Sequence, residues 1–115
     1  MSDSPYPKIS AETVKRRREL AGETFQAFHA FSNQVFAEGA LPGKTKQLIA
    51  LAVAHVTQCP YCIDSHAKLA VQHGASDEEM MEAIWVAAEM RAGGAYAHAG
   101  IALEAIKSAR GQASS

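Results

Sequence analysis

Apolar positions recur along this chain at spacings of three and four, and glycine and proline divide that pattern into helical stretches. A first helix begins after Ser10, which suits an N-cap, with Glu12 in its first turn and a polar run through Lys15, Arg16, Arg17 and Arg18. After Gly22, Phe25, Phe28, Phe31 and Val35 form the apolar stripe of an amphipathic helix, with His29 off the stripe and Gly39 as its expected C-cap. Leu41-Pro42-Gly43 is a turn. The run Lys44 to Val56 then reads as a Leu- and Ala-rich helix, apolar on most sides after Gln47, which belongs in the middle of the fold. Pro60 to His73 is the next helix, closed by Gly74, and Ser76 with Glu79 forms a capping box opening another through Met80, Ile84, Trp85, Ala88 and Arg91. Gly93-Gly94 is expected to interrupt it before a last helix, Ala95 to Ala109. No alternating strand pattern occurs, so the expected fold is an all-α helical bundle. It forms one domain over residues 1–115, with residues 1–9 as a flexible arm and 110–115 as a frayed tail.

Composition narrows the function classes more than the fold. At 115 residues the chain holds one hydrophobic core, and its 48% hydrophobic and 20% charged content is that of a globular protein. Eleven basic side chains against 12 acidic ones give a net charge of -1, so nothing marks a nucleic-acid partner or an anionic membrane. The basic cluster at Lys15 to Arg18 reads as a solvated face or a subunit-contact rim. The best apolar run, Leu48 to Ala54, falls far short of the roughly 18 residues of a membrane span. Met1 to Pro7 shows no basic start followed by an apolar segment, which points to a cytoplasmic protein. The phenylalanines, with Met80, Met81 and Trp85, are more large apolar groups than a bundle of this size needs to hide, and self-association is expected.

The chemistry concentrates in Gln58 to Ala67, which holds both cysteines, Cys59 and Cys62, and His66 four residues beyond the second. In a reducing compartment such a pair is catalytic, redox-active or metal-binding rather than a structural staple. On a helix, Cys59, Cys62 and His66 fall within about 60° of one another and share a face. The helix N-terminus stabilises a thiolate, and His66, one turn past Cys62, can hold or remove its proton. This prepares Cys62 to attack an electrophile and Cys59 to resolve the product as a disulfide. His55 lies one turn before Cys59 and reaches the same face only if Pro60 does not break the helix. Asp64 points away and is expected to be solvated; Tyr61 either packs or lines a pocket mouth. Zinc is the competing reading, with Cys59, Cys62, His66 and His55 as donors, although three donors in a row on one helix do not surround an ion.

The run Leu41-Pro-x-Lys-x-Lys-Gln-Leu-Ile-Ala-Leu-Ala-Val-Ala, followed by Cys59-Pro-Tyr-Cys62-Ile-x-x-His66, resembles the carboxymuconolactone decarboxylase and alkylhydroperoxidase AhpD-like family. The likeness covers most of the chain after about residue 20. It implies an all-α AhpD-like fold assembled as trimers or hexamers. In members that keep both cysteines it implies a thiol peroxidase, with Cys62 as the peroxidatic thiol, Cys59 as the resolving thiol and His66 in the proton relay. The substrate would be a hydroperoxide and the reductant an external dithiol, with no metal or organic cofactor. One position departs from the pattern: the family's relay glutamate, twelve residues before the first cysteine, is Gln47 here, and an amide cannot take a proton. His55 is the candidate replacement. Two other functions stay open, a decarboxylase acting on a lactone and a zinc-binding or redox-sensing module.

Overall fold

The computed structural model describes residues 5–111, and among them the chain forms six helices and no strand. They are α1 (Ala11–Ala21), α2 (Glu23–Phe36), α3 (Gly43–Thr57), α4 (Pro60–Gln72), α5 (Asp77–Ala97) and α6 (Ala99–Ala109). The all-α expectation holds. The parts of the arm and tail at residues 1–4 and 112–115 lie outside the described residues.

α3 is the centre. Gly43, Gln47, Leu51 and Ala54 recur at spacings of four, four and three, so they lie on one face, and all four are buried. That face packs against α4 and α5, which bring the buried Ala70 and Ala87, and the small side chains let the backbones approach closely. Two polar ties fix the direction of α5. Lys44 Nζ meets Glu79 Oε2 at 3.0 Å near the start of both helices, and Arg91 Nη1 donates to the Val56 carbonyl at 3.0 Å near the end of α3. α3 and α5 therefore run parallel, with α4 returning between their ends. The expected capping box opens α5: Ser76 Oγ accepts from the Glu79 N–H at 3.0 Å, and Glu79 Oε1 accepts from the Ser76 N–H at 2.8 Å. Those contacts, the Ser76 backbone first and Lys44 second, hold the Glu79 carboxyl below its ordinary range.

The outer helices follow other rules. Gly22 joins α1 to α2 at φ 57°, ψ -132°, a conformation open to glycine and strained for any other residue, which is why the chain breaks there. Ser10 caps α1 as expected, its Oγ accepting from the Thr13 N–H at 3.1 Å. α2 ends at Phe36, not at Gly39. Lys46 Nζ reaches the carbonyls of Val35 and Ala37, at 2.8 and 2.6 Å, and satisfies the helix end before the glycine is reached. Gly93-Gly94 does not interrupt the helix either. Neither glycine takes a positive φ, and α5 runs through both to Ala97, so the break into α6 falls at His98. Glycine in a helix costs about 1 kcal/mol against alanine, too little to stop a helix already anchored by α3.

The phenylalanine stripe of α2 is not core within this chain: Phe28 and Phe31 are each 64% exposed. Leu20, Trp85, Met90, Ile101 and Leu103 are similarly open. The radius of gyration is 20.4 Å, against about 13 Å for a compact chain of this length. The accessible surface is 9169 Å², about half as large again as the roughly 6,100 Å² of a folded monomer of 12.3 kDa.

Candidate active site

The corner between α3 and α4 sets the two cysteines. Gln58 adopts φ 58°, ψ 47°, the one non-glycine residue with positive φ among the described residues. This left-handed turn brings the N–H groups of Gln58 and Cys59 onto the buried Ala54 carbonyl, the latter at 3.1 Å. Cys59 thereby becomes the N-cap of α4, Pro60 takes the first turn where its missing N–H is harmless, and the Cys62 N–H donates to Cys59 Sγ at 3.2 Å.

The thiols differ as a result. Hydrogen bonds from the Cys62 side chain, then from the backbone N–H groups of Cys62 and Tyr61, pull the Cys59 thiol below its ordinary value. The Cys62 thiol is pushed up, first by its hydrogen bond with the Cys59 side chain, then by burial and the Cys59 charge. The order is the reverse of what a nucleophilic Cys62 alone requires. The reason is position, because the residue at the cap collects the free N–H groups and the residue one turn inside does not.

Cys62 and His66 line one cavity of about 390 Å³, whose remaining walls are Val35 and Phe36 of α2 and Lys46, Ile49, Ala50, Val53, Ala54 and Thr57 of α3. Its surface is almost wholly apolar, since the Lys46 ammonium turns away to the end of α2 and leaves its alkyl stem as wall. Val35, Ile49 and Val53 are each about half exposed, so the cavity is open on that side. His66 stacks on Phe36 at 5.2 Å between ring centroids, and its Nδ1 meets Gln47 Oε1 at 2.7 Å. An amide oxygen only accepts, so Nδ1 carries the proton and Nε2 keeps a lone pair. Burial lowers the His66 pKa and favours this neutral form.

A second cavity of about 440 Å³ lies behind the same imidazole, lined by Ser32, Asn33, Phe36, Ala37, Gln47, Ser65, His66, Leu69 and His73. Its walls are half polar, and Phe36 and His66 face both spaces.

Of the five residues picked out from the sequence, Cys59, Cys62, His66 and Gln47 form one connected group, and His55 does not join it. His55 Nδ1 donates to the Leu51 carbonyl at 2.8 Å on its own helix, and the ring lines a separate groove with Tyr6, Gln58, Pro60 and Ile63. The corner at Gln58 breaks the continuous helix that would have aligned it with the cysteines. The four donors considered for zinc therefore point into different spaces, and among the described residues no three His, Cys, Asp or Glu side chains converge as a metal site. Asp64 is exposed and pairs with Lys68 at 2.9 Å. Tyr61 packs edge-on against Tyr6 and donates to the Pro7 carbonyl at 3.4 Å. In the basic cluster Arg16 pairs with Glu19 and Arg18 lies over Phe25, both on an open face. Phe36 was not visible as a site residue, because its role depends on the last residue of α2 meeting His66 of α4, thirty positions further along the chain.

Residues 22–105 match the model of the carboxymuconolactone decarboxylase family. The chain belongs to that family. A Paracoccus denitrificans protein, described as uncharacterized protein 4 in the cox locus, is 58% identical over 107 residues, 92% of this chain and 95% of its own. An uncharacterized protein of Cupriavidus necator is 32% identical over 67% of this chain and 68% of its own. Among solved structures, a protein of Methanobacterium thermoautotrophicum has TM-score 0.69 and 35% identity, covering 72% of this chain and 93% of that one. An apo carboxymuconolactone decarboxylase family protein of Legionella pneumophila has TM-score 0.67 and 34% identity, covering 84% and 87%. Both the fold and the alkylhydroperoxidase-like resemblance fit this family. Among the described residues no helix is long and apolar enough to cross a membrane.

Proposed function

We propose that this carboxymuconolactone decarboxylase family protein is a thiol peroxidase that reduces organic hydroperoxides through a Cys59/Cys62 dithiol and disulfide cycle. The carrying observation is the shared apolar cavity of Cys62 and His66, with Cys59 hydrogen-bonded to the Cys62 backbone beside it. Cys62 loses its proton to His66 Nε2 and attacks the terminal oxygen of the hydroperoxide. The O–O bond breaks, an alcohol leaves with a proton, and Cys62 becomes a sulfenic acid. Cys59 thiolate then attacks the Cys62 sulfur, hydroxide leaves as water, and an external dithiol reduces the disulfide. A cavity of about 390 Å³ with apolar walls suits an alkyl chain better than hydrogen peroxide, which is hardly larger than a water molecule of roughly 30 Å³.

Self-association belongs to the same reading. The surplus of roughly 3,000 Å² of accessible surface is of the size that obligate homo-oligomers cover, and the half-exposed cavity wall lies among the exposed apolar side chains. A trimer or hexamer is the expected state.

The test is a single turnover: reduced protein is mixed with cumene hydroperoxide and free thiols are counted. Loss of both thiols per chain with release of cumyl alcohol is expected. Two thiols surviving excess hydroperoxide would sink the reading.

A further inference from the structure

Behind His66, a buried amide faces a cavity with half of its hydrogen-bonding capacity unused. Gln47 is 4% exposed, its Oε1 is held by His66 Nδ1 at 2.7 Å, and its Nε2 meets no acceptor among the described residues. Every fully enclosed side-chain nitrogen or oxygen among those residues has a partner, so this Nε2 touches open space, and the polar chamber of about 440 Å³ is the space that Gln47 lines. Ser32, Asn33 and Ser65 border the same chamber, and their side chains likewise make no hydrogen bond among the described residues.

These walls select a class of ligand. With Oε1 spent on His66, Gln47 offers only donors, so what it meets is an acceptor. No Asp or Glu lines the chamber to hold a cation, and no Lys or Arg lines it to neutralise a phosphate dianion. A carboxylate carries a single charge on two acceptor oxygens, and neutral N–H and O–H donors are enough to stabilise it. Phe36 and Leu69 supply an apolar side to the chamber, against which a short alkyl chain packs, and its volume is that of a small-ligand site.

We propose that the polar chamber binds a short-chain monocarboxylate, which places beside His66 the negative charge that the amide of Gln47 lacks. Its effect rests on the role of His66 as base in the cycle proposed above; its binding does not. When the proton of Cys62 Sγ passes to His66 Nε2, the sulfur becomes negative and the buried ring positive, and Gln47 Oε1 answers that charge only with a dipole. A carboxylate on Gln47 Nε2 sets a full negative charge one amide group away from Nδ1, which favours the imidazolium and with it the Cys62 thiolate. No bond of the ligand is made or broken, so it is a dissociable activator and is not consumed.

Butyrate is the probe, and Cys59→Ser is the protein, so that Cys62 is the single thiol. Serine is itself a good N-cap and keeps the start of α4. Calorimetry at pH 7 reads binding, and iodoacetamide labelling of Cys62 reads the effect, with ionic strength held constant by chloride. Saturable binding of about one butyrate per chain is expected, with labelling about threefold or more faster at saturation. Butyramide, which has the shape without the charge, is expected not to speed labelling. Gln47→Glu builds a carboxylate into the wall and repels the ligand, and Ser32→Leu fills the chamber; the butyrate response is expected to vanish in both. Gln47→Glu is isosteric and decides alone where Ser32→Leu unsettles α2. Failure to bind butyrate, an unchanged rate or a slower one, equal stimulation by butyramide, or a response that survives in Gln47→Glu or in folded Ser32→Leu overturns the proposal. The peroxidase reading is separately at stake in cumene hydroperoxide consumption by the unmodified protein: if that fails while butyrate still speeds labelling, the first reading falls and this one stands.

Discussion

The α3–α4–α5 hub and the flanking helices α1, α2 and α6 both carry many apolar residues, yet only the hub buries any of them, and even there Trp85, Val86 and Met90 of α5 stay open. In the hub, one face of α3 is buried by Ala70 and Ala87, and the space left over is the cavity of Cys62. In the flanks, Leu20, Phe28, Phe31, Ile101 and Leu103 remain open. Amphipathic pattern alone thus does not say whether a stripe is hidden by its own chain. What decides is the size of the side chains opposite: small residues on α3, α4 and α5 permit close contact, whereas the ring-bearing face of α2 finds no such partner within the chain.

The sharpest challenge to that contrast is chemical. Cys62→Ser, a change confined to the hub, is expected to abolish hydroperoxide turnover while leaving the assembly mass and helical content unchanged; residual turnover near that of the unmodified protein would place the chemistry elsewhere. Leu51→Ala empties the largest fully buried side chain of the hub and is expected to cost about 2–5 kcal/mol in urea unfolding. A loss below about 1 kcal/mol would mean that the hub is not where the stability lies. The reciprocal change, Phe28→Asp with Phe31→Asp, is expected to lower the mass measured by light scattering to that of a smaller species. An unchanged mass would assign the α2 stripe to something other than self-association.

A finer cut separates the site from the helices that carry it. Gln47→Glu sets a carboxylate against His66 Nδ1, which raises the imidazole pKa. The proposed cycle requires neutral His66, so the acid limb of hydroperoxide reduction is expected below the ordinary histidine value of 6.5 in the unmodified protein, because burial lowers the pKa. In the variant the limb should move up by about one pH unit or more, with faster turnover on its alkaline side. A pH profile that does not move would remove Gln47 from the relay. The same burial makes a contribution to folding that is present in full above pH 6.5 and lost as the pH falls from there through the lower folded value. Smallest of all, Ser76→Ala at the capping box should cost about 1 kcal/mol, read as a modest drop in the melting temperature with turnover intact.

Much of the hub was legible in the sequence because its signals are local. The capping box, the Pro60 start of α4, the apolar run of α3 and the Cys-x-x-Cys-x-x-x-His spacing each lie within a few residues. The misplaced details depend on contacts from far along the chain. Lys46 ends α2 three residues before Gly39, and the anchoring of α5 on α3 carries that helix past Gly93-Gly94. His55 misses the site because Gln58 takes a left-handed turn that its side chain does not advertise. The order of the two thiols follows from Cys59 capping a helix that starts at Pro60, whereas the family resemblance gave the attacking role to Cys62.

His66 and Phe36 separate an apolar chamber from a polar one. Reduction of a hydroperoxide needs protons as well as electrons, and an oily chamber cannot store protons. In the proposed reaction the imidazole wall would keep two kinds of traffic apart, the organic molecule on the Cys62 side and water with its protons among Ser32, Asn33 and Ser65. Only a ring nitrogen would need to communicate between the two, so the sulfur of the proposed reaction could sit against apolar walls without being kept from acid.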